Sequence, residues 1–447
     1  MTKHDAFSSL WKKEDWWAVW LGLGTVLVAI AFFLSGSTLA PIAVSPPRDW
    51  IAFSTIGAHF AGAWPWYVVL YAVLAVLFTA STSVMGHSAK RYLPGFTLIY
   101  VVSVVILAVS QSRFFHTYSL EAPLVALILG LLVGNVARLP GWLDDSLRTE
   151  YYIKTGIVLL GATLPLTAIV TAGPVAFLQA TIVSISTWLV MYFTATRLFG
   201  MDRRFSAVLG AGGAVCGVSA SIAVGGAVDA DKEHVAISIS IVSLWALVMI
   251  FFLPLASKAL GLAPGVAGAW IGTSEFADAA GYAAAQTIAS NTGSEAAIQT
   301  FTLMKVLGRD IWIGIWAFVL AIVAATRWER PGADGERKVG AGVIWARFPK
   351  FVIGFILASI IMSVLVASTS GALAGDVTPN LITPIKTLRT WTFVFTFLCI
   401  GLTTRFRELA KFGWPPLWAF TIGVAVNVPL GYFLSTVVFR SYWLAVG

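Results

Sequence analysis

The run from Leu209 to Val228, LGAGGAVCGVSASIAVGGAV, is apolar enough to enter a bilayer yet is dominated by Gly, Ala and Ser, with one Cys. Such a helix suits lipid poorly. Its small side chains let neighbouring helices and a ligand approach the backbone, and six glycines make an interruption cheap. Lipid satisfies no peptide group, so a helix broken at membrane depth must line a cavity or be buried in protein, and it points to a transport site.

The rest of the chain agrees. Of 447 residues 58% are hydrophobic and 11% charged, with mean hydropathy +0.85, against roughly 25% charged in a soluble domain. Trp11, Trp16, Trp17 and Trp20 suit a headgroup level. Glu14 and Asp15 precede the first apolar run, so it reads as a retained helix rather than a cleaved signal. Cys216 and Cys399 both lie in apolar segments, and no disulfide framework is expected.

Apolar runs of spanning length fall at 17–34, 65–83, 95–112, 121–137, 152–171, 174–196, 207–228, 235–257, 265–289, 299–325, 345–369, 387–404 and 415–437. The expected fold is an all-α polytopic membrane protein of about thirteen transmembrane segments. With the N-terminus inside, 21 of the Lys and Arg residues fall on cytoplasmic loops and six outside, which predicts N-in, C-out in the cytoplasmic (inner) membrane. The basic balance is thus a topology signal, and no nucleic-acid partner is expected. Residues 1–92 read as two accessory helices, 93–119 as a third helix and linker, 120–257 and 265–447 as two repeats, and 327–350 as a cytoplasmic connection.

Charges inside spans are costly and point to function. Glu275 and Asp278 share one face of the ninth span; Lys305 and Arg309 stand four apart in the tenth, followed by Asp310. Two stacked cations need an anion beside them, which a bound dianion or these carboxylates would supply; an ion-pair staple between the spans is the plainer alternative. If the seventh span unwinds near Cys216 and Gly217, the next half-helix offers free N–H groups around Val218, Ser219 and Ser221, an anion site without charged side chains. Continuous tight packing is the competing reading.

Other signals exclude functions. His4, His59, His87, His116 and His234 fall in loops or at span ends without metal-ligand spacing. There is no P-loop or dinucleotide spacing, so no cofactor is expected. Cys216 has no base partner, so no enzyme is expected.

Two internal matches compete. One pairs Gly217-Val218-Ser219 with Gly401-Leu402-Thr403. The other, offset by 240 residues, pairs Gly161, Thr163, Gly173, Thr181, Ile182, Tyr192 and Phe193 with Gly401, Thr403, Gly413, Thr421, Ile422, Tyr432 and Phe433.

The A-V-C-G-V-S-A-S core at 214–221, the continuation through Lys232-Glu233 to Pro254, Gly272-Thr273-Ser274 and the Lys305/Arg309 pair resemble the YeiH family of proposed sulfate exporters, over roughly Leu120 to the C-terminus. That family is similar to a class including bile-acid symporters and cation/proton antiporters. The resemblance implies two inverted five-helix repeats with broken fourth helices that cross; here these would be spans seven and twelve. This chain carries Glu275-Phe276-Ala277-Asp278 where the family usually has a His-containing stretch.

The expected function is a secondary transporter exporting a small oxyanion such as sulfate, sulfite or an organosulfonate. Its site would comprise Cys216, Gly217, Val218, Ser219, Ser221, Lys305, Arg309, Thr403 and Thr404, with Glu275, Asp278 or Asp310 taking a coupling proton or sodium. The alternative is a cation/proton antiporter using Glu275 and Asp278. Partners are the solute, the coupling ion and the bilayer; a homodimer is compatible with the class.

Overall fold

The computed structural model describes residues 10–117, 122–164, 166–328, 349–369, 372–405 and 413–446. Most of the expected connection at 327–350 lies outside the described residues. The helices are α1 Glu14–Leu34, α2 Phe53–Val84, α3 Ala89–Ser110, α4 Ala122–Val136, α5 Thr149–Gly161, α6 Leu166–Phe193, α7 Arg203–Ala214, α8 Gly217–Val228, α9 Lys232–Ala259, α10 Pro264–Ser274, α11 Asp278–Thr292, α12 Ala296–Trp328, α13 Phe351–Ser368, α14 Thr383–Thr403 and α15 Trp414–Phe433. A helix closes its own hydrogen bonds, which is what such apolar runs require. Among the described residues nine helices (α1, α2, α3, α6, α9, α12, α13, α14 and α15) are long and apolar enough to cross a membrane. The chain is an all-α polytopic integral membrane protein.

It divides into two compact units. The first, Met1–Leu166 with Lys350–Arg405, holds α1 to α5, α13 and α14. Its core is aromatic: Tyr100 stacks on Trp391 at 5.0 Å, and the Tyr92 and Tyr152 hydroxyls meet at 2.8 Å. At the start of α1, Glu14 pairs with Arg148 and Asp15 accepts from Lys154 at 2.8 Å.

Helices α4 and α14 pack backbone to backbone. A Cβ on Gly401 would lie 2.6 Å from Leu127 O and Leu131 N, and one on Gly130 2.7 Å from Leu398 O. This corrects one expectation: the twelfth span is not interrupted, because α14 is helical through Gly401-Leu402-Thr403. Its glycine serves close helix approach. Gly401→Ala is expected to force the pair apart and lower the melting temperature in detergent by several degrees, whereas Gly57→Ala, whose Cβ would meet open space, leaves it unchanged; equal melting curves would refute the tight crossing.

The second unit, Thr167–Pro349 with Phe406–Gly447, holds α6 to α12 and α15. Helix α6 ends in a π turn at Thr194–Leu198 and α15 in another at Leu434–Val438. The two contact each other where Asn427 Nδ2 donates to Thr187 Oγ1 at 2.9 Å, a pair 240 residues apart.

Helices α7 and α8, 12 residues each, extend only about 18 Å apiece. They fold back on one another. Arg204, at the start of α7, donates to Asp229 O just after α8 at 2.9 Å, and a Cβ on Gly212 would lie 2.7 Å from Ser221 Oγ. Helices α10 and α11 do the same. Gly268 of α10 faces Ala297 and Thr300, and Gly272 faces Phe301 and Met304, so α10 runs parallel to the start of α12; α11 must therefore return to the level at which α10 began. Gly293, at φ +69, turns the chain there. The expected seventh and ninth spans are thus helical hairpins rather than crossing helices. His59, expected in a loop, lies inside α2.

Candidate functional site

Each hairpin tip is a break of two or three residues. In the first, Val215 and Cys216 leave helical geometry and Gly217 restarts the chain at φ +44, a left-handed conformation that favours glycine. In the second, Glu275 and Ala277 are extended and the chain bends at Phe276 between them, separating α10 from α11. The tips touch: a Cβ on Gly217 would lie 2.9 Å from Phe276 O and 2.5 Å from Val242 Cγ1. Val242 is ten residues into the 28-residue α9, so the first tip stands roughly 15 Å along a helix roughly 42 Å long.

A helix that stops leaves its last carbonyls unpaired and its C-terminal end partly negative. Here two such ends converge on α12, where a π turn at Leu303–Arg309 presents two fully buried cations. Arg309 reaches Ala214 O at 3.3 Å and Gly213 O at 3.2 Å on α7, and Thr273 O at 2.8 Å and Gly272 O at 3.3 Å on α10, with Glu275 O at 2.7 Å. Lys305 Nζ donates to Val215 O at 2.9 Å and Glu275 O at 3.2 Å and pairs with Asp278 Oδ1 at 3.4 Å. The counter-charge that the stacked cations demanded is therefore largely backbone. One guanidinium and one ammonium clip both tips together.

The carboxylates surround this clip. Glu275 Oε1 accepts from the Phe276 and Ala277 amides at 2.8 and 3.2 Å, occupying the start of α11, while Glu275 Oε2 and Ser274 Oγ make no hydrogen bond among the described residues. Cys216 Sγ and one oxygen each of Asp278 and Asp310 lie within 4.8 Å of one another. Two bases face three acids, so the local charge is negative when all are ionised.

Cys216, Gly217, Lys305, Arg309, Glu275, Asp278 and Asp310 are thus brought together, with Val218 and Ser219 half-buried beside them. Ser221 is turned elsewhere, its hydroxyl 2.9 Å from Ser238 Oγ on α9. Thr403 and Thr404 belong to the first unit, at the end of α14, and their hydroxyls donate to Cys399 O and Ile400 O at 2.8 Å. The carbonyls of Gly213, Ala214 and Val215 escaped the sequence reading; only the cations opposite them carried a signal.

Comparison with known proteins places the chain. Residues 94–420 match the family model described as conserved hypothetical protein 698. A UPF0324 membrane protein of Rhodopirellula baltica is 32% identical over 415 residues, 90% of this chain and 73% of the relative. One of Nitrosomonas europaea is 28% identical over 449 residues, 91% of each. One of Nitratidesulfovibrio vulgaris is 31% identical over 380 residues, 83% of this chain, which spans only 63% of that relative. No solved structure matches. With a family match over most of its length and homologues of that name along nearly all of it, the chain belongs to the conserved hypothetical protein 698 family, the UPF0324 (YeiH) membrane proteins.

Proposed function

We propose that the protein is an ion-coupled secondary transporter of a small oxyanion, of the sulfate, sulfite or organosulfonate class, working by alternating access in the inner membrane. The observation that carries the reading is the meeting of two hairpin tips over a buried cluster of three acids and two bases. Interrupted helices at membrane depth are tolerated where they are buried in protein or line a cavity, and ionisable groups retained among them are the mark of a solute or ion path.

In this reading both hairpins are re-entrant. Helix α9 runs from the base of the first hairpin to the base of the second, so the two enter from opposite faces and meet near the middle. Eleven segments cross and two turn back. Lys232 then moves to the cytoplasmic side and Lys258 to the outside, so the 21 to six distribution of basic residues stays as it was and still supports N-in, C-out. The 240-residue register also gains support. The π turns of α6 and α15 stand at that offset, and the two units divide after Leu166 and after Arg405. The repeats at 120–257 and 265–447 are then related by circular permutation: the first ends with its hairpin and the following helix, the second begins with them.

The chemistry assigns the roles. Arg309 and Lys305 spend their donors on carbonyls, so the solute is held by the amide end of α8 at Gly217 to Ser219 rather than by the bases. Asp278 and Asp310 stand beside Cys216 at that same end and repel an anion while ionised. A proton or cation taken by the acids removes the repulsion, so ion and anion bind together. The spent donors and the negative balance also favour a second reading, cation/proton antiport without an anion.

Thermal-shift measurements on the purified protein separate the two. Sulfate, sulfite or methanesulfonate should raise the melting temperature, since a ligand stabilises the state it binds, and the rise should require acid pH or sodium. In Asp278→Asn that requirement should relax. Stabilisation by sodium or pH alone, with no anion effect, would establish the antiport reading instead.

A further inference from the structure

The first unit contains a second candidate site, unrelated to the hairpins. A cavity of about 440 Å³ lies between α1 and α2, closed behind by residues of α5 and α14, within the roughly 300–1,000 Å³ range of small-molecule pockets. Its wall is hydrocarbon apart from the Trp20 indole N–H, which donates to Leu10 O at 3.2 Å, and three threonines. Each of these has its hydroxyl committed to its own helix: Thr25 to Leu21 O at 2.8 Å, Thr155 to Tyr151 O at 2.9 Å and Thr392 to Arg389 O at 2.7 Å. The hydroxyl protons are therefore spent and only scattered hydroxyl acceptors remain, a poor site for a polar solute or for a water, which needs two to four partners.

Its mouth says where the occupant comes from. Val28, Phe32, Val73 and Leu77 line the cavity and are also exposed, on two helices long and apolar enough to span the bilayer. The opening faces lipid. At one end stands Trp20, stacked on Trp16 at 5.7 Å and on Trp11 at 5.9 Å, an aromatic group of the kind that settles at headgroup depth. Beyond it Lys12 and Lys13 are exposed, whereas the neighbouring acids Glu14 and Asp15 are taken by Arg148 and Lys154. Among the described residues no acid pairs with Lys12 or Lys13, and the charge they place at the headgroup end is positive.

We propose that this cavity holds one acyl chain of an anionic phospholipid, with its headgroup beside Lys12 and Lys13. The chain threads past Gly24, where an added Cβ would meet nothing within 4 Å, and the Trp cluster sets the depth of the glycerol. The acyl chain thereby fills the space between α1 and α2 in front of α5 and α14, beside the direct contact of Gly22 with Val158.

Native mass spectrometry of the full-length protein, titrated with phosphatidylglycerol or phosphatidylcholine of identical chains, tests this. Wild type should retain one phosphatidylglycerol at least fivefold more strongly than phosphatidylcholine. Gly24→Leu fills the cavity and improves helix propensity, and should lose both lipids; Lys12→Gln/Lys13→Gln should keep chain binding and lose the preference. A phosphatidylglycerol with a diazirine on its acyl chain should label peptides of α1 and α2 in wild type and not in Gly24→Leu. Equal retention by Gly24→Leu, or labelling spread evenly over lipid-facing helices in both proteins, would overturn the proposal. So would a dimer peak that disappears in Gly24→Leu, since the occupant would then be a second copy. Should Gly24→Leu fold poorly, Leu77→Trp at the lipid-facing mouth gives the same reading.

Discussion

Replacing Arg309 with methionine is expected to cost more stability than any other single change in the second unit. Methionine keeps a long apolar stem but removes every donor that reaches Gly213, Ala214, Gly272 and Thr273. Each is a terminal carbonyl of a helix buried beyond reach of water, and an unpaired buried acceptor costs about 1–3 kcal/mol. The substitution also leaves the acids of the cluster short of a counter-charge, and an uncompensated buried charge costs about 3–5 kcal/mol. The melting temperature in detergent should fall steeply and ion- or anion-dependent stabilisation should vanish. Lys305→Met removes two carbonyl contacts and one ion pair and should fall less far, since Arg309 still spans both tips. Arg309→Lys can satisfy one hairpin but not both, because an ammonium lacks the planar fork; it should lie between. If Arg309→Met melts with wild type, the clip does not hold the tips.

The ordering of these variants rests on something sequence could display only in half. Lys305 and Arg309 stand out in an apolar run because charges there are expensive, and their spacing puts them on one face. Their partners do not stand out, because they are peptide carbonyls, which every residue has. An anion, either a bound dianion or the carboxylates of Glu275 and Asp278, looked necessary beside the cations for that reason. The two helix ends that replace it become visible only once α7 and α10 are seen to stop at Ala214 and Ser274.

The helices themselves were legible from hydropathy, and the hairpins were not. Two 12-residue helices with a two-residue break have the same length and composition as one ordinary span; what separates them is whether the ends meet, as Arg204 and Asp229 do. Charge counting could not expose the difference, because turning both segments back exchanges Lys232 for Lys258 and alters no total. The likeness of Gly217-Val218-Ser219 to Gly401-Leu402-Thr403 misled for a related reason. Both glycines exist for close approach, but Gly401 meets the backbone of α4 from within a regular helix, whereas Gly217 meets Phe276 O from a left-handed turn.

That difference makes Gly217 the second position of large effect. Gly217→Ala places a Cβ 2.5 Å from Val242 Cγ1 and 2.9 Å from Phe276 O and holds a non-glycine residue at positive φ, which costs about 1–2 kcal/mol before any clash. The two penalties are separable. Val242→Ala removes the side-chain obstacle and leaves the backbone one, so the double variant Gly217→Ala/Val242→Ala should recover part of the lost melting temperature and none of the ligand response. The reason is geometric: a β-carbon pressed against Phe276 O parts the two tips, and Lys305 cannot then reach Val215 O and Glu275 O together. A cycle of the two single variants and the double measures the coupling. Full recovery of ligand response in the double variant would mean that the tips do not need to touch. Recovery of neither property would place the whole cost in the left-handed turn, and the alanine variant should then be no worse at a second positive-φ glycine with open space around it, such as Gly293.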